Sequence, residues 1–523
     1  MCGIFAYLSK KKITLDILRL NGNRCQYRGP DITSEKYMKL NNKYLYLLFH
    51  RLAINGLTKK GNQPLCLEHL IQYTLICNGE IYNYKKLAET YNIKLTTGSD
   101  CEIIIHLVNL IGIEATIKQL DGVFSFVLIN IKTKQLYIGH DSIGIRALYW
   151  SPNGENLGIA SELKCLNKLD KDVELFSPGH YCIYDLESGI INLHKYYNFV
   201  YKDIKDTEDN IINNIKNKLI KAVDKRLMSD RPVGCLLSGG LDSSIVTAIM
   251  AKKVGAKNLK TFSIGLEGSP DLLAAQKVAD YLGTNHTSVT VTIKEMLDAI
   301  PTTIYHIESY DTTTVRASVP MYLLSKYIKK HTDITVILSG EGSDEASGSY
   351  LYFHNAPTAE EFKKETIRLI EDVQHFDVTR CDKTTAGAGL EVRVPFFDKE
   401  FINYYMGIDP NLKMVRDGME KYLLRKAFEN ELPKEIVWRR KEGFSDGVST
   451  KTKTWYEIIQ EHVESMYDDI PEYEHLQPKL KETLWYRQLY DTYYPNCERI
   501  VPYYWMPRWS GDLDDPSGRL IID

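Results

Sequence analysis

Three short stretches hold residues whose types and spacing suit chemistry. The first is the start, "MCGIFAY", where Cys2 directly follows the first methionine. Methionine before a small residue is normally trimmed, which would leave the Cys2 thiol beside its own α-amine. Such an amine titrates at roughly 7.7–8.0 and a free thiol at roughly 8.5, so the amine, through a water, can serve as general base for its own nucleophile. Taken alone, Cys2 reads more readily as a small buried apolar residue. The second stretch is "LLSGGLDSSIV", Leu236 to Val246. An apolar run enters Ser238-Gly239-Gly240, and a helical pattern begins near Asp242. The glycines let backbone approach a ligand, the helix start offers free N–H groups to an anion, and Ser238, Ser243 and Ser244 add hydroxyls. The P-loop pattern occurs nowhere in the chain. The third stretch, "VILSGEGSDEASGSY" (Val336 to Tyr350), is a second Gly/Ser loop, with Glu341, Asp344 and Glu345. Facing a polyphosphate loop, such acids suit magnesium, and Asp242 and Asp344 are the candidate ligands.

Four further segments join glycine to polar residues beside apolar runs: "RCQYRGPD" (Arg24 to Asp31), "HRLAI" (His50 to Ile54), "CNGEIYN" (Cys77 to Asn83) and "TGSDCE" (Thr97 to Glu102). "RGPD" reads either as a turn that fixes a loop over a site or as part of that site. The elements that must position these loops fall into two patterns. Up to about residue 200 the chain reads as paired strands: "GVFSFVLINIKTKQLYIGHD", then "ALYWSPNGENLGIAS" around Asn153-Gly154, then "HYCIYDLESGIINLHKYY" around Ser188-Gly189. Helical patterns in "NYKKLAETY" and "DCEIIIHLVNLIG" interrupt them. The polar stretch Tyr201 to Asn210 reads as a linker or surface connection. Beyond it, apolar runs ("VGCLL", "KTFSIGL", "ITVILSG") alternate with helical segments, which predicts a parallel, doubly wound sheet. From about Ala359 the pattern is mostly helical, with a Tyr/Trp-rich tail.

A chain of 523 residues exceeds one typical core, and the change of pattern predicts two domains, 2–200 and 211–523. With 44% hydrophobic and 25% charged residues the composition is that of a globular protein, and a formal charge of -3 gives no reason to invoke nucleic acid or an anionic membrane. No run approaches the roughly 18 apolar residues of a membrane span, and no signal-peptide core follows the basic start. The ten cysteines are scattered and form no C-x-x-C pair, which argues against structural zinc and suits a reducing, cytoplasmic setting.

Together with "MCGIFAY", the four loops resemble, in order, those of the class II glutamine amidotransferases, over roughly residues 2 to 200. The resemblance implies an α+β domain, an αββα N-terminal-nucleophile sandwich of antiparallel sheets. It implies Cys2 as nucleophile, with the Asn78 side chain and the Gly79 N–H as oxyanion hole. Arg51 would hold the α-carboxylate of glutamine, Asp100 and Glu80 its α-amino group, and Leu52, Ala53, Ile54 and Asn55 would line the site. "SGGLDSS" resembles the pyrophosphate loop of the N-type ATP pyrophosphatases. Both halves in this order resemble the glutamine-hydrolysing asparagine synthetases over nearly the whole chain. Further matching stretches are "EGSPDLLAAQKVADYLGTNH", "IYHIESYDTTTVRASVPMYLLS", "LEVRVPFFDKEF", "RRKEGFSDGV" and "DDPSGR".

That resemblance implies hydrolysis of glutamine at Cys2, adenylation of the aspartate side chain by ATP with Mg2+, and attack of ammonia on the β-aspartyl-AMP. The ammonia would pass through an internal tunnel. Nucleotide contacts would fall on Leu236, Gly239, Gly240, Ile264, Ser339 and Gly340 as well as the loop serines. Glu341 would stand where ammonia attacks, and Lys441 against the phosphates. Ser347 and Ser349 stand where the family usually has an aromatic and a second glycine, and Ala147 where proline is common. Two alternatives remain: a relative acting on another carboxylate, or a degenerate non-catalytic homologue. The first typically lacks the N-terminal cysteine; loss of Cys2, Asp242 or Asp344 would mark the second. All three residues are present. Small-molecule partners are expected, with a homodimer left open.

Overall fold

The computed structural model describes residues 1–153, 156–441, 443–450 and 452–518. Gly154 of the expected turn, Glu442 of "RRKEGFSDGV" and Arg519 of "DDPSGR" lie outside the described residues.

The N-terminal part is built from β1 (Gly3–Ser9), β2 (Ile32–Leu40), β3 (Lys43–Arg51), β4 (Tyr73–Ile81), β5 (Gly122–Asn130), β6 (Gln135–His140), β7 (Tyr149–Pro152), β8 (Asn156–Ala160), β9 (Glu174–Leu175), β10 (His180–Asp185) and β11 (Ile191–Lys195). They form two sheets, ordered β2-β3-β1-β8-β7-β9 and β11-β10-β6-β5-β4, and every pairing is antiparallel. Period-2 alternation decides the layering. Ile4, Ala6 and Leu8 of β1 meet Val127 and Ile129 of β5 in one core between the sheets. Phe124, Phe126 and Leu128 of β5 face away, onto Ile103, Ile104 and Leu107 of the helix Glu102–Gln119. The three sequence-predicted hairpins pair as expected.

The second part carries β12 (Val233–Leu236), β13 (Lys260–Gly265), β14 (Asn285–Thr290), β15 (Val336–Leu338) and β16 (Glu391–Arg393), in the order β14-β13-β12-β15-β16. All four pairings are parallel. The sequence reading leaves β14 and β16 unassigned: the first is polar and lies at an edge, and the second is three residues long. The chain builds outward from β12 to β13 and β14, then returns to the other side of β12 with β15. That reversal makes the gap between the carboxyl ends of β12 and β15 the natural ligand crevice of an open α/β sheet. "SGGLDSS" follows β12 and "SGEGSD" follows β15, so the topology brings both Gly/Ser loops to that crevice.

The connection between the parts is less linker-like than its composition suggests. The Ile204 N–H donates to Gly407 O at 2.8 Å, and Thr207 already caps the helix Glu208–Lys225. The two parts meet across buried charge. Arg28 pairs with Glu162 at 2.5 Å and with Asp382 at 2.8 Å, and Lys164 with Glu308 at 2.8 Å. Removing one partner of such a buried pair costs about 3–5 kcal/mol, because the other charge is left uncompensated. Among the described residues no helix is long and apolar enough to cross a membrane.

Candidate active sites

Cys2 stands one residue before β1, and its thiol donates to Leu52 O at 3.7 Å. With Met1 attached, the nitrogen of Cys2 is a peptide nitrogen. The nearby amine is that of Met1, wholly buried and donating to Leu390 O at 3.2 Å. Burial lowers this amine to about 5 and pushes the Cys2 thiol up to about 11. The untrimmed chain therefore holds a neutral thiol beside a neutral amine at pH 7.

The four loops converge around this position. Arg28 Nε donates to Cys2 O at 2.9 Å while its other nitrogens carry the ion pairs described above, so "RGPD" ties the Cys2 backbone to the second part of the molecule. Gly29 is required by close approach: a Cβ there would lie 2.1 Å from His50 O. Asn78 is fully buried, and neither its Nδ2 nor its Oδ1 has a partner. A buried amide left unpaired costs free energy, and a ligand oxygen would relieve the cost. Gly79 lies against β5, where a Cβ would come within 2.2 Å of Val123 O. Glu80 accepts from Asn55 Nδ2 and lies 3.4 Å from Arg393. Asp100 accepts from the Ile81 N–H at 2.6 Å. Burial raises both carboxyls, Asp100 to about 6, and Glu80 further because Asp100 and Glu391 add repulsion. Leu52, Ala53 and Ile54 are buried, with the Ala53 N–H donating to Asp31 at 2.9 Å. The Arg51 guanidinium does not point into open space. It donates to Thr58 O, Asn62 Oδ1, Asn55 O and Gly56 O at 2.5–3.3 Å, so a carboxylate ligand would have to replace some of these acceptors.

The second cleft lies where the sheet topology places it. Its wall includes Leu236, Ser238, Gly240, Asp242, Ser243, Ile264, Ser339, Gly340, Glu341, Asp344 and Lys441. Two of the expected contacts are not on that wall. Gly239 (φ +75) is pressed against the helix Pro270–Leu282, where a Cβ would meet Ala274 C at 2.4 Å. Ser244 is fully buried, and its hydroxyl donates back to Gly240 O at 2.7 Å. Both shape the loop from behind.

Asp242 and Asp344 are brought together by a residue the sequence reading did not single out. Lys421 Nζ donates to Asp242 Oδ2 at 2.5 Å and to Asp344 Oδ1 at 2.6 Å, and Lys441 Nζ reaches Asp344 Oδ2 at 2.6 Å. Lys421 is 2% exposed and sits in the left-handed region (φ 60), uncommon for a side chain of this size. Its neighbours in "GMEKYLLRKA" look like an ordinary amphipathic helix start, so no local signal marks it. Burial pushes the Asp344 carboxyl up, but the two ammoniums outweigh it and hold Asp344 far below the carboxylate range. The Ser349 hydroxyl also donates to Asp344 Oδ1, at 2.6 Å, and Ser347 donates to Ser349 at 3.0 Å. One atom thus contacts both carboxylates, which are close enough to share a cation. No group of three or more His, Cys, Asp or Glu suited to a metal occurs among the described residues. Two carboxylates with the remaining positions left to phosphate and water are the pattern magnesium uses. Glu341 is held by Arg380 at 2.6 Å, and Arg380 also pairs with Asp377 at 2.7 Å.

Comparison with known proteins agrees with both halves. The glutamine amidotransferase domain model matches residues 1–203, and the asparagine synthase model matches residues 214–366 and 356–512. The chain is 41% identical over 557 residues to the glutamine-hydrolysing asparagine synthetase of Gallus gallus, spanning 100% of this chain and 98% of the relative. It is 42% identical over 550 residues to a probable enzyme of that name from Acanthamoeba polyphaga mimivirus, with 100% of each covered. The Homo sapiens protein is 41% identical over 557 residues, at 100% and 98% coverage. With both domain models in this order and end-to-end alignment to such relatives, the chain belongs to the family of glutamine-hydrolysing asparagine synthetases.

Proposed function

We propose that the protein makes asparagine from aspartate and ATP with ammonia cut from glutamine, releasing glutamate, AMP and pyrophosphate through a β-aspartyl-AMP. The observation that carries this reading is the convergence of two Gly/Ser loops, two carboxylates and two lysines at one crevice. In the same chain the Cys2 thiol meets Leu52 O of the "HRLAI" loop, and the buried amide of Asn78 in "CNGEIYN" is left unpaired.

In the first half-reaction, removal of Met1 frees the amine of Cys2 to take the thiol proton. The thiolate attacks the side-chain amide of glutamine, and Asn78 Nδ2 and the Gly79 N–H receive the oxyanion. Arg51 fixes the α-carboxylate of glutamine, and Asp100 with Glu80 its α-ammonium. In the second, the hydroxyls of Ser238 and Ser243 and the N–H groups at the start of the helix Leu241–Val254 grip the β- and γ-phosphates. Asp242 and Asp344 would hold magnesium, which when bound neutralises the leaving pyrophosphate. Lys421 and Lys441 add positive charge along the same path. That grip leaves the α-phosphorus open to the aspartate carboxylate. Ammonia then displaces AMP beside Glu341, whose carboxylate, fixed by Arg380, takes the surplus proton. All ten cysteines are free thiols, in keeping with a cytoplasmic enzyme.

Heavy-oxygen label in the side-chain carboxylate of aspartate should appear in AMP. Label in inorganic phosphate, with ADP as co-product, would overturn the adenylate reading.

A further inference from the structure

The Tyr/Trp-rich tail has no part in the chemistry above, yet it lies on the synthetase cleft. Residues 501–518 contain almost no regular secondary structure. A segment of this kind keeps one conformation only where side chains anchor it, and four anchors are visible. The Trp505 N–H donates to Asp311 Oδ1 at 2.8 Å, and its ring stands 5.3 Å from that of Tyr350. Trp509 lies 5.9 Å from Tyr352 and 5.8 Å from Phe353. Asp515 accepts from Arg316 Nη1 at 2.9 Å and Nη2 at 2.7 Å, a two-pronged pair whose arginine is buried. The Ser517 hydroxyl donates to Asp446 Oδ1 at 3.3 Å.

The anchors join the tail to the parts of the cleft that matter. Asp311 caps the helix Thr312–His331, and the carboxylate oxygen not used by Trp505 accepts from Thr314. Arg316 lies one turn along the same helix. Asp446 belongs to the short helix Phe444–Gly447, immediately after Lys441. Tyr350 OH donates to Glu345 at 2.8 Å and to Asp377 at 3.3 Å, and Asp377 pairs with the Arg380 that holds Glu341. Trp505 itself is on the cleft wall, with Asp311, Thr313, Thr314, Tyr350 and Phe376 as fellow lining residues.

We propose that the C-terminal segment Trp505–Ser517 is a working wall of the synthetase site. Trp505 closes the Arg380–Asp377 side, where the amino-acid substrate and its acyl-adenylate lie, and Asp515 is the positioning residue that latches this wall to Arg316. An acyl-adenylate open to water returns to aspartate and AMP: water adds to the acyl carbon, the acyl–phosphate bond breaks, and one ATP is spent without product. A large, rigid, 7%-exposed indole over that side excludes the water. This inference rests on the adenylate reading of the cleft.

The test uses the full chain with aspartate, Mg-ATP and ammonium chloride. Trp505→Ala and Asp515→Asn should raise the KM for aspartate by on the order of tenfold and release pyrophosphate in excess of asparagine. The KM for ATP and the glutaminase rate should stay within about twofold. Trp505→Phe and Asp515→Glu should restore most of the coupling, which a merely structural loss would not predict. Should the variants fail to fold, hydrogen exchange of the unaltered enzyme decides: residues 505–517 should gain protection when aspartate and a non-hydrolysable ATP analogue bind together. One pyrophosphate per asparagine in folded variants with unchanged KM, or no gain in protection, overturns the inference. If the unaltered enzyme fails to exchange labelled pyrophosphate into ATP when aspartate is present, the adenylate reading itself falls.

Discussion

Cys2 and Asp344 are both only partly exposed, and loss of water acts on both in the same sense, yet they end in opposite states. At the thiol burial prevails: Glu391 and Glu80 reinforce it, the Met1 amino group and the contact to Leu52 O oppose it only weakly, and the thiol is pushed up to about 11. The Asp344 carboxylate lies between two ammoniums, which overcome burial and keep it ionised. Nearby charge, more than depth, decides whether a buried acid is a reagent or a fixed electrode. On the proposed mechanism the first site generates its nucleophile on demand and offers neutral donors to a transient oxyanion, and the second keeps its charges permanently in place for a polyanion.

This contrast can be broken most sharply at the thiol. Cys2→Ala should abolish glutaminase and glutamine-dependent synthesis, by more than about a thousandfold, and leave synthesis from ammonium intact. A chain that retains Met1, verified by intact-mass measurement, should behave the same way. Loss of ammonium-dependent synthesis in folded Cys2→Ala would erase the proposed division of labour. Asp344→Asn is the mirror case. Synthesis from either nitrogen source should fall by about 10²–10³-fold while glutaminase persists; unchanged synthesis would remove Asp344 from the metal assignment.

Lys421→Met leaves Asp242 and Asp344 without their shared ammonium. kcat/KM for ATP should drop by about 10–100-fold, and unaltered ATP kinetics would reduce Lys421 to a structural contact. The pH response should separate the sites too. Asp100 is raised to about 6 by burial, and on the proposed reading only its ionised form would pair with the ammonium of glutamine. As pH falls through 6 that form is lost, so kcat/KM for glutamine should decline by about tenfold per unit. Aspartate-dependent pyrophosphate exchange should lack this limb, since Asp344 stays ionised throughout. A shared limb would contradict the contrast. The smallest effect is expected from Ser349→Gly, which removes one hydroxyl donor from Asp344. A shift of about two- to threefold in the magnesium concentration for half-maximal exchange would support Ser349 as a tuning contact; no shift would leave it to packing alone.

Much of both candidate sites was legible because their loops are local. "SGGLDSS" and "CNGEIYN" each put glycine, a polar group and the end of an apolar run within seven residues, and such loops announce themselves without knowledge of the fold. The hairpins around β5–β6 and β10–β11 were legible for the same reason, through period-2 alternation about a polar turn. Ser244 shows the limit. Its hydroxyl reads as a phosphate donor, but it falls four residues after Gly240 on a helix, where a serine hydroxyl reaches back to the i−4 carbonyl.

By itself, then, the sequence determined the strand and helix patterns of the two parts, their order and the Gly-polar loops between them, because these follow from short-range periodicity and residue type. Tertiary structure alone decided which charges meet. Lys421 reaches Asp344 across 77 positions and Asp242 across 179. Arg28 joins Cys2 to Asp382 across 354, and Asp515 closes on Arg316 across 199. No local pattern encodes such pairs. They exist because the strand order reverses about β12, because the two parts pack against each other, and because the C-terminal segment folds back over the crevice.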